Sequence, residues 1–130
     1  MYIAQISIVV RDYDEAIEFY VNKLGWKLLE DTVLSEEKRW VRVAPQGAKE
    51  CNILLAKAKN QQELKSVGNQ TGGRVGFFMH TDNFWEYYNH LVKAGVKFIR
   101  QPLEEEYGTV AVFEDLYGNL WDLIEPKNQV

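Results

Sequence analysis

The sequence has 130 residues, of which 46% are hydrophobic, 26% charged and 13% aromatic, which is enough apolar material for one compact domain with a single core. Its 15 basic and 19 acidic residues give a formal net charge of -4 and a pI near 5.2, which argues against a nucleic-acid-binding protein. No apolar run approaches the ~20 residues of a membrane-spanning helix, and no charged-then-apolar leader opens the chain. We therefore expect a soluble, cytoplasmic protein without nucleic-acid or membrane partners.

The single cysteine, Cys51, excludes an internal disulfide and a thiolate metal cluster. No histidine lies near it in the sequence. We interpret it as a buried, unreactive thiol rather than a nucleophile.

The first half of the chain predicts one strand, one helix and three further strands. Residues 3–10 alternate in a β-branched pattern that is typical of a strand. Asp12 and Glu15 have the spacing of a capping box, and apolar residues then recur with helical periodicity, which predicts a helix over residues 12–24. The three strand candidates, separated by polar or Gly/Pro-containing turns, are residues 26–34, 38–44 and 51–56.

The same order begins again after a polar connector over residues 58–73. Residues 74–80 predict a strand, and a capping sequence followed by an apolar stripe predicts a helix over residues 82–94. Three more strands are expected, at residues 97–100, 108–114 and 119–125. The chain thus contains two βαβββ modules, at residues 1–57 and 74–126, within a single domain of residues 1–130.

The two modules superpose with nearly constant offsets, which indicates a structural repeat. Gln5 falls on Arg74 at an offset of 69 residues, and Gly25 falls on Gly95 at 70. Leu54 falls on Asp122 at 68. The small drift corresponds to single-residue insertions and deletions.

Two motifs suggest a family. They are QISIVVRD (residues 5–12), which leads into AIEFY (residues 16–20) and Leu24-Gly25, and VFEDLYGNLWDL (residues 112–123). With the tandem modules, they resemble the vicinal-oxygen-chelate superfamily, which includes glyoxalase I, the bleomycin- and fosfomycin-resistance proteins and the extradiol dioxygenases. The resemblance covers essentially the whole chain and implies an α+β fold with a curved, cup-like mixed sheet. The superfamily contains enzymes and non-catalytic drug binders, so the resemblance alone does not select a function.

Members that bind a metal take a ligand from the first and the last strand of each module. The resemblance places Gln5, Leu54, Arg74 and Asp122 at these positions. Leu54 has no donor atom, and Arg74 is a permanent cation without a free lone pair. Only Gln5 and Asp122 remain as candidate ligands, so we expect no cofactor, and a divalent metal is the less favoured alternative. His80 shares a strand face with Arg74 but is six residues away, too far to replace it.

Strand alternation directs a mixed set of side chains toward the cup. The predicted ligand-binding residues are Gln5, Trp40, Arg42, Leu54, Arg74, Phe78 and Asp122. Arg74 has two interpretations: a structural ion pair with Asp122, or, together with Arg42, a site for an anionic or carbonyl group of a small molecule. Trp40 and Arg42 either line the cup or lie on a solvated strand. Tyr107 either presents its hydroxyl at the pocket mouth or packs in a turn.

These features favour a small-molecule-binding protein of the bleomycin-resistance kind, with a polar cup and a degraded metal site. The alternative is an enzyme: a metal-dependent lyase, isomerase or dioxygenase of the glyoxalase type that uses Gln5 and Asp122, or a metal-free enzyme with Asp122 as base. A third hypothesis is a structural or regulatory dimer without a ligand. We also predict a homodimer, because open sheet edges and curved faces are commonly closed by a second chain.

Overall fold

The computed structural model describes residues 1–127, which fall into two compact units, Met1–Gln70 and the chain from Thr71 onward. Each unit is a four-stranded mixed sheet with a helix after its first strand. The predicted α+β fold and the βαβββ order of both halves are confirmed. Within the described residues, no helix is long and apolar enough to cross a membrane.

The first unit has the strand order β1-β4-β3-β2, in which β1 is parallel to β4 and the other pairs are antiparallel. Its strands are β1 (Gln5–Val10), β2 (Lys27–Val33), β3 (Arg39–Ala44) and β4 (Asn52–Lys57). Helix α1 (Tyr13–Ile17) continues as a π-helix over Glu18–Lys23, and a short helix, α2 (Gln61–Ser66), follows β4. Helix α2 lies in the stretch that the sequence predicts as a connector.

The second unit repeats this arrangement with the order β5-β8-β7-β6. Its elements are β5 (Phe77–His80), α3 (Phe84–Lys93), β6 (Phe98–Glu105), β7 (Gly108–Glu114) and β8 (Leu120–Pro126). Strand β5 is parallel to β8, and the other pairs are antiparallel. A parallel first and last strand with a helix between them buries one sheet face and leaves the other face open.

The helix starts follow from their capping residues. The Asp12 carboxylate accepts a hydrogen bond from the Glu15 backbone N–H at 2.9 Å, as the capping-box spacing predicts. The π-helical part ends where the Leu24 N–H donates to the carbonyl oxygen of Phe19 at 2.9 Å. Gly25 follows with a φ of 75°, a left-handed conformation that favours glycine.

Hydrophobic burial decides which face of each sheet is covered. Ile8 and Val10 are fully buried beneath the helix side of β1. In the second unit, the rings of Phe113 and Trp121 are parallel and 6.2 Å apart, and Phe77 stacks on Trp121 at 4.7 Å. Aromatic burial of this kind contributes about 1 kcal/mol per pair beyond the area removed from water.

Arg39 fastens the start of α1 to the β2–β3 hairpin. Its guanidinium donates two hydrogen bonds to Asp31, at 3.0 and 2.7 Å, and one to Asp14 at 2.9 Å. It also lies 5.2 Å from the ring centroid of Tyr13. These contacts lower the pKa of Asp31, chiefly through its hydrogen bonds from Arg39. The ion pair is therefore formed at neutral pH.

The Gln70 side chain covers the free edge of β1. Its amide oxygen accepts from the Val9 N–H at 2.6 Å, and its amide nitrogen donates to the Ser7 carbonyl at 2.6 Å. Strand β1 is an edge of its sheet, so these backbone groups face away from β4. One primary amide thus supplies the donor and acceptor that a neighbouring strand would offer.

Two predictions about local structure are wrong. Strand β5 begins at Phe77 and not at Arg74, because Gly72 and Gly73 have φ values of 73° and 92° and the Thr71 hydroxyl donates to the Arg74 carbonyl at 2.7 Å. This turn delays entry into the strand. Cys51 is exposed and not buried, because it ends the turn before β4 instead of lying within that strand.

Candidate functional site

Each unit has an open sheet face opposite its helix-covered core. The "Arg42 face" of the first unit carries Ser7, Val9, Glu30, Thr32, Trp40, Arg42, Leu54 and Ala56. The "Asp122 face" of the second unit carries Phe78, His80, Arg100, Leu103, Val110, Val112, Asp122 and Ile124. Six of the seven predicted ligand-binding residues lie on these two faces, because strand alternation places Gln5 on the same side of β1 as Ser7 and Val9.

The central row of the Arg42 face runs across the sheet as Ser7, Leu54, Arg42 and Glu30. Arg42 Nε donates to Glu30 at 3.0 Å, and the Thr32 hydroxyl donates to the other Glu30 oxygen at 2.9 Å. The hydrogen bond from Arg42, followed by that from Thr32, lowers the pKa of Glu30. The charges of this face therefore neutralise each other.

Two further predicted residues belong to the first unit. Trp40 is half-buried and is paired with Thr32 on β2, beside the central row. In β1, Ser7 is the residue that pairs with Leu54. Gln5 lies two residues earlier and pairs with Asn52. Gln5 is thus offset along β1 from the position it was predicted to share with Leu54.

The central row of the Asp122 face is Phe78, Asp122, Val112 and Arg100. The Phe78 side chain, on the edge strand β5, is 63% exposed, whereas Val112, on the inner strand β7, is 3% exposed. Asp122 lies between these two apolar side chains. One of its carboxylate oxygens, Oδ1, is buried and has no hydrogen-bond partner within residues 1–127.

The surroundings of Asp122 oppose its ionisation. Burial among apolar groups raises its pKa, and the positive charges of Arg100 and His80 only partly counteract this. His80 is paired with Ile124, one row from Asp122, and Arg100 lies two strands away. The second unit thus places a carboxyl group, an imidazole and a guanidinium on one open face.

Arg74 does not occupy the position predicted for it. Arg74 is exposed and precedes β5. The β5 residue that pairs with Asp122 is Phe78, four residues further along the chain. The predicted ion pair between Arg74 and Asp122 is not formed in the described part of the chain, because the cations that act on Asp122 are Arg100 and His80. Ser7 and Phe78 occupy equivalent positions in the two sheets, at an offset of 71 residues. The sequence superposition placed Gln5 on Arg74 at an offset of 69, which is two residues too small.

Arg100 is the site residue that the sequence analysis missed. A short strand ending at residue 100 was expected, but β6 continues to Glu105 and contains register shifts on both sides of Arg100. These irregularities bring its side chain onto the same face as Asp122. Bulges of this kind interrupt the alternation that predicts which sheet face a side chain lies on. The sequence therefore carries no periodic signal that Arg100 shares a face with Asp122.

The residues present do not fit a divalent metal site of the kind that the resemblance implies. Leu54 and Phe78 offer no donor atom, and Asp122 is bordered by the apolar side chains of Phe78 and Val112. Within residues 1–127, no group of three or more His, Cys, Asp or Glu side chains is placed to hold a metal ion. A carboxylate that shares its sheet face with the Arg100 guanidinium attracts a divalent ion weakly.

The family is established by comparison with known proteins. The model of the Glyoxalase/Bleomycin resistance protein/Dioxygenase superfamily matches residues 2–123, and the chain belongs to this superfamily. It is 56% identical over 124 residues to an uncharacterized protein of Shewanella frigidimarina, covering 95% of this chain and 92% of that protein.

Two solved structures are similar over nearly their whole length. One is UcmS2, with 30% identity, a TM-score of 0.84 and coverage of 96% of this chain and 98% of that one. The other is TnmS3, an antibiotic binding protein from Streptomyces sp. CB03234, with 27% identity, a TM-score of 0.78 and coverage of 98% and 97%.

Proposed function

We propose that this chain is a binding protein that takes a small organic molecule on the Asp122 face without a metal ion. The observation that carries the proposal is the pairing of the exposed Phe78 ring with Asp122, whose buried Oδ1 has no partner within residues 1–127. Leaving such an atom unpaired costs about 1–3 kcal/mol. A ligand that covers Phe78 buries apolar surface, and a donor group on that ligand can pair with the Asp122 carboxylate.

The family context supports a binding role. TnmS3, which is similar over most of its length, is an antibiotic binding protein. The predicted contributions of Gln5, Trp40, Arg42 and Leu54 to ligand binding remain part of the proposal. Within residues 1–127, Arg42 uses only its Nε to donate to Glu30, so its terminal nitrogens are available for an anionic or carbonyl group.

The test is ligand capture followed by mutation. The native protein is incubated with a cell extract, re-purified and analysed by native mass spectrometry, and the captured compound is then added to apo-protein in a thermal melt. We expect a specific adduct and a concentration-dependent rise in Tm. The Phe78→Ser variant should lose most of that rise, whereas the exposed control variant Lys93→Gln should keep it. A folded protein that retains no compound from any extract would contradict the proposal.

The proposal includes the absence of a bound metal ion, because the residues of the site offer too few metal-ligating atoms. Elemental analysis of the native protein should find zinc, nickel, manganese and iron at well below one equivalent. Stoichiometric metal that is lost in the Asp122→Asn and Gln5→Leu variants would move a metal-dependent lyase, isomerase or dioxygenase to first place.

A metal-free enzyme is the second candidate function, and the raised pKa of Asp122 favours it. A carboxyl group whose pKa is raised by burial is a better general base than an ordinary aspartate. Asp122→Asn would then abolish turnover of the captured compound while largely preserving its binding. Equal stability of that compound with wild-type protein, with the variant and in buffer would exclude this candidate.

The predicted homodimer also remains a proposal. Sedimentation velocity at micromolar concentration should give the mass of two chains. A monomer under these conditions would contradict it without affecting ligand binding by the Asp122 face.

A further inference from the structure

The outer edge of strand β5 carries unpaired backbone groups. Strand β5 is an edge of its sheet and lies beside β8. The Thr81 N–H donates to the Ile124 carbonyl at 2.9 Å, and backbone groups alternate in direction along a strand, so those of Phe78 and His80 point away from β8. In the described part of the chain, the Phe78 carbonyl and the His80 N–H have no hydrogen-bond partner. They are therefore available to a ligand.

The first unit shows which chemistry such an edge accepts. The residues of β1 that are equivalent to Phe78 and His80 lie 71 positions earlier in the chain, and they are Ser7 and Val9. Their outward carbonyl and N–H bind the primary amide of Gln70, each at 2.6 Å. The second unit presents the same pair of backbone groups, and no side-chain amide within residues 1–127 binds them. A primary carboxamide is thus the group that this fold already holds on the equivalent edge.

The β5 edge is also accessible. Phe78 is 63% exposed, and His80 is exposed as well. Phe78 places an aromatic ring beside the edge, at the position where β1 has the small side chain of Ser7. A ligand whose amide reaches the edge can therefore lay an attached ring against Phe78. The two backbone groups and the exposed ring together form one binding site.

Building on the proposed function, we infer that the ligand carries a primary carboxamide next to an aromatic ring. Its amide N–H donates to the Phe78 carbonyl, its carbonyl oxygen accepts from the His80 N–H, and its ring packs on the Phe78 side chain. An ester or a tertiary amide has no N–H and would place an oxygen atom or a methyl group against the Phe78 carbonyl. The edge should therefore select the primary amide over both.

Three probes test this selectivity: 2-naphthylacetamide, its N,N-dimethyl amide and methyl 2-naphthylacetate. All three have the same ring and an acceptor oxygen, but only the first has an N–H. Binding to the native full-length chain is measured by NMR titration. We expect the primary amide to bind about tenfold more tightly than either of the others. The His80 amide should exchange rapidly with solvent in the ligand-free protein and slowly when the primary amide is bound.

Two variants at one position isolate the backbone donor. His80→Ala removes the imidazole and keeps the N–H, whereas His80→Pro removes both. Proline is tolerated on an edge strand where the lost N–H faces away from the neighbouring strand. We expect His80→Pro to bind 2-naphthylacetamide about tenfold more weakly than His80→Ala. Circular dichroism verifies folding, and hydrogen exchange of the wild type decides the question if the proline variant does not fold.

The outcomes separate this inference from the proposed function. Equal binding of the three probes, or equal binding by the two His80 variants, would overturn the inference while the protein still binds aromatic compounds. A His80 amide that is protected in the ligand-free protein would also overturn it, because another segment or a second copy then covers the edge.

If no probe binds, the compound captured from extract decides. A primary carboxamide that protects the His80 amide from exchange would support the inference, and any other compound would overturn it and leave the proposed function standing. Failure of the probes together with failure to capture any compound would overturn both.

Discussion

Replacing Asp122 by leucine should stabilise the protein, although it removes the central polar group of the proposed site. Asp122 lies between Phe78 and Val112, and its Oδ1 is buried without a hydrogen bond within residues 1–127. The corresponding residue of the first unit is Leu54. A leucine at this position therefore has a precedent in the same fold, and it removes the desolvated carboxylate.

The expected gain follows from the unpaired oxygen. A buried acceptor without a partner costs about 1–3 kcal/mol, and Asp122 belongs at the lower end because it is only half-buried and is attracted by Arg100 and His80. We expect Asp122→Leu to raise the free energy of unfolding by about 1 kcal/mol near neutral pH.

The gain should depend on pH in a defined direction. The native pKa of Asp122 is raised above its ordinary value of 3.8, so over the interval between the two values the native state holds a proton that the unfolded chain has lost. The stability of the wild type therefore falls as pH rises through this interval. Leucine cannot titrate, so its advantage over aspartate should grow from about pH 3 to about pH 7.

Urea unfolding of the wild type, Asp122→Leu and Asp122→Asn at both pH values measures this. The control is Glu106→Leu, which removes an exposed acid from the turn between β6 and β7 and should change stability by less than about 0.5 kcal/mol. The reasoning is refuted if Asp122→Leu is less stable than the wild type at neutral pH, or if its advantage is the same at both pH values. Either result would mean that the carboxylate has a strong partner in the native protein.

Three further changes probe the framework. Arg39→Lys should lower the free energy of unfolding by about 1 kcal/mol because lysine cannot make the two-point contact with Asp31; this loss, measured by urea unfolding, should fade at low pH as Asp31 is protonated. Gln70→Ala should cost about 1–2 kcal/mol and accelerate hydrogen exchange of the Val9 amide, measured by NMR; unchanged exchange would contradict the role of the Gln70 amide. Gly108→Ala should cost more than about 2 kcal/mol in thermal unfolding, because its new side-chain carbon would collide with the backbone of β8; a neutral effect would refute that packing.

The fold could be predicted from the sequence because its signals are local and repeated. Strand alternation, the Asp12 cap and the glycine after the first helix each specify one element, and the second half repeats them. Hydrophobic periodicity reports which side of an element is buried, as it did for Ile8 and Val10. All eight predicted strands are present within residues 1–127, seven of them with shifted ends.

The candidate site was predicted less well because its composition depends on register. The equivalence of Ser7 and Phe78 is visible only in the pairing of the strands. The turn at Gly72 and Gly73 keeps Arg74 out of β5. Neither effect leaves a periodic signal. The bulges beside Arg100 likewise change which residues face Asp122, so the cation was predicted from the wrong strand.

During synthesis, the Gln70 contact can form only long after β1 has been translated. The Val9 amide lies 61 residues before the side chain that caps it, a distance that translation covers in about 3 to 12 seconds. Until Gln70 has been synthesised, the Ser7 and Val9 backbone groups on the outer edge of β1 lack their side-chain partner. Because Gln70 precedes β5 in the chain, the first unit can complete its edge before any strand of the second has been translated.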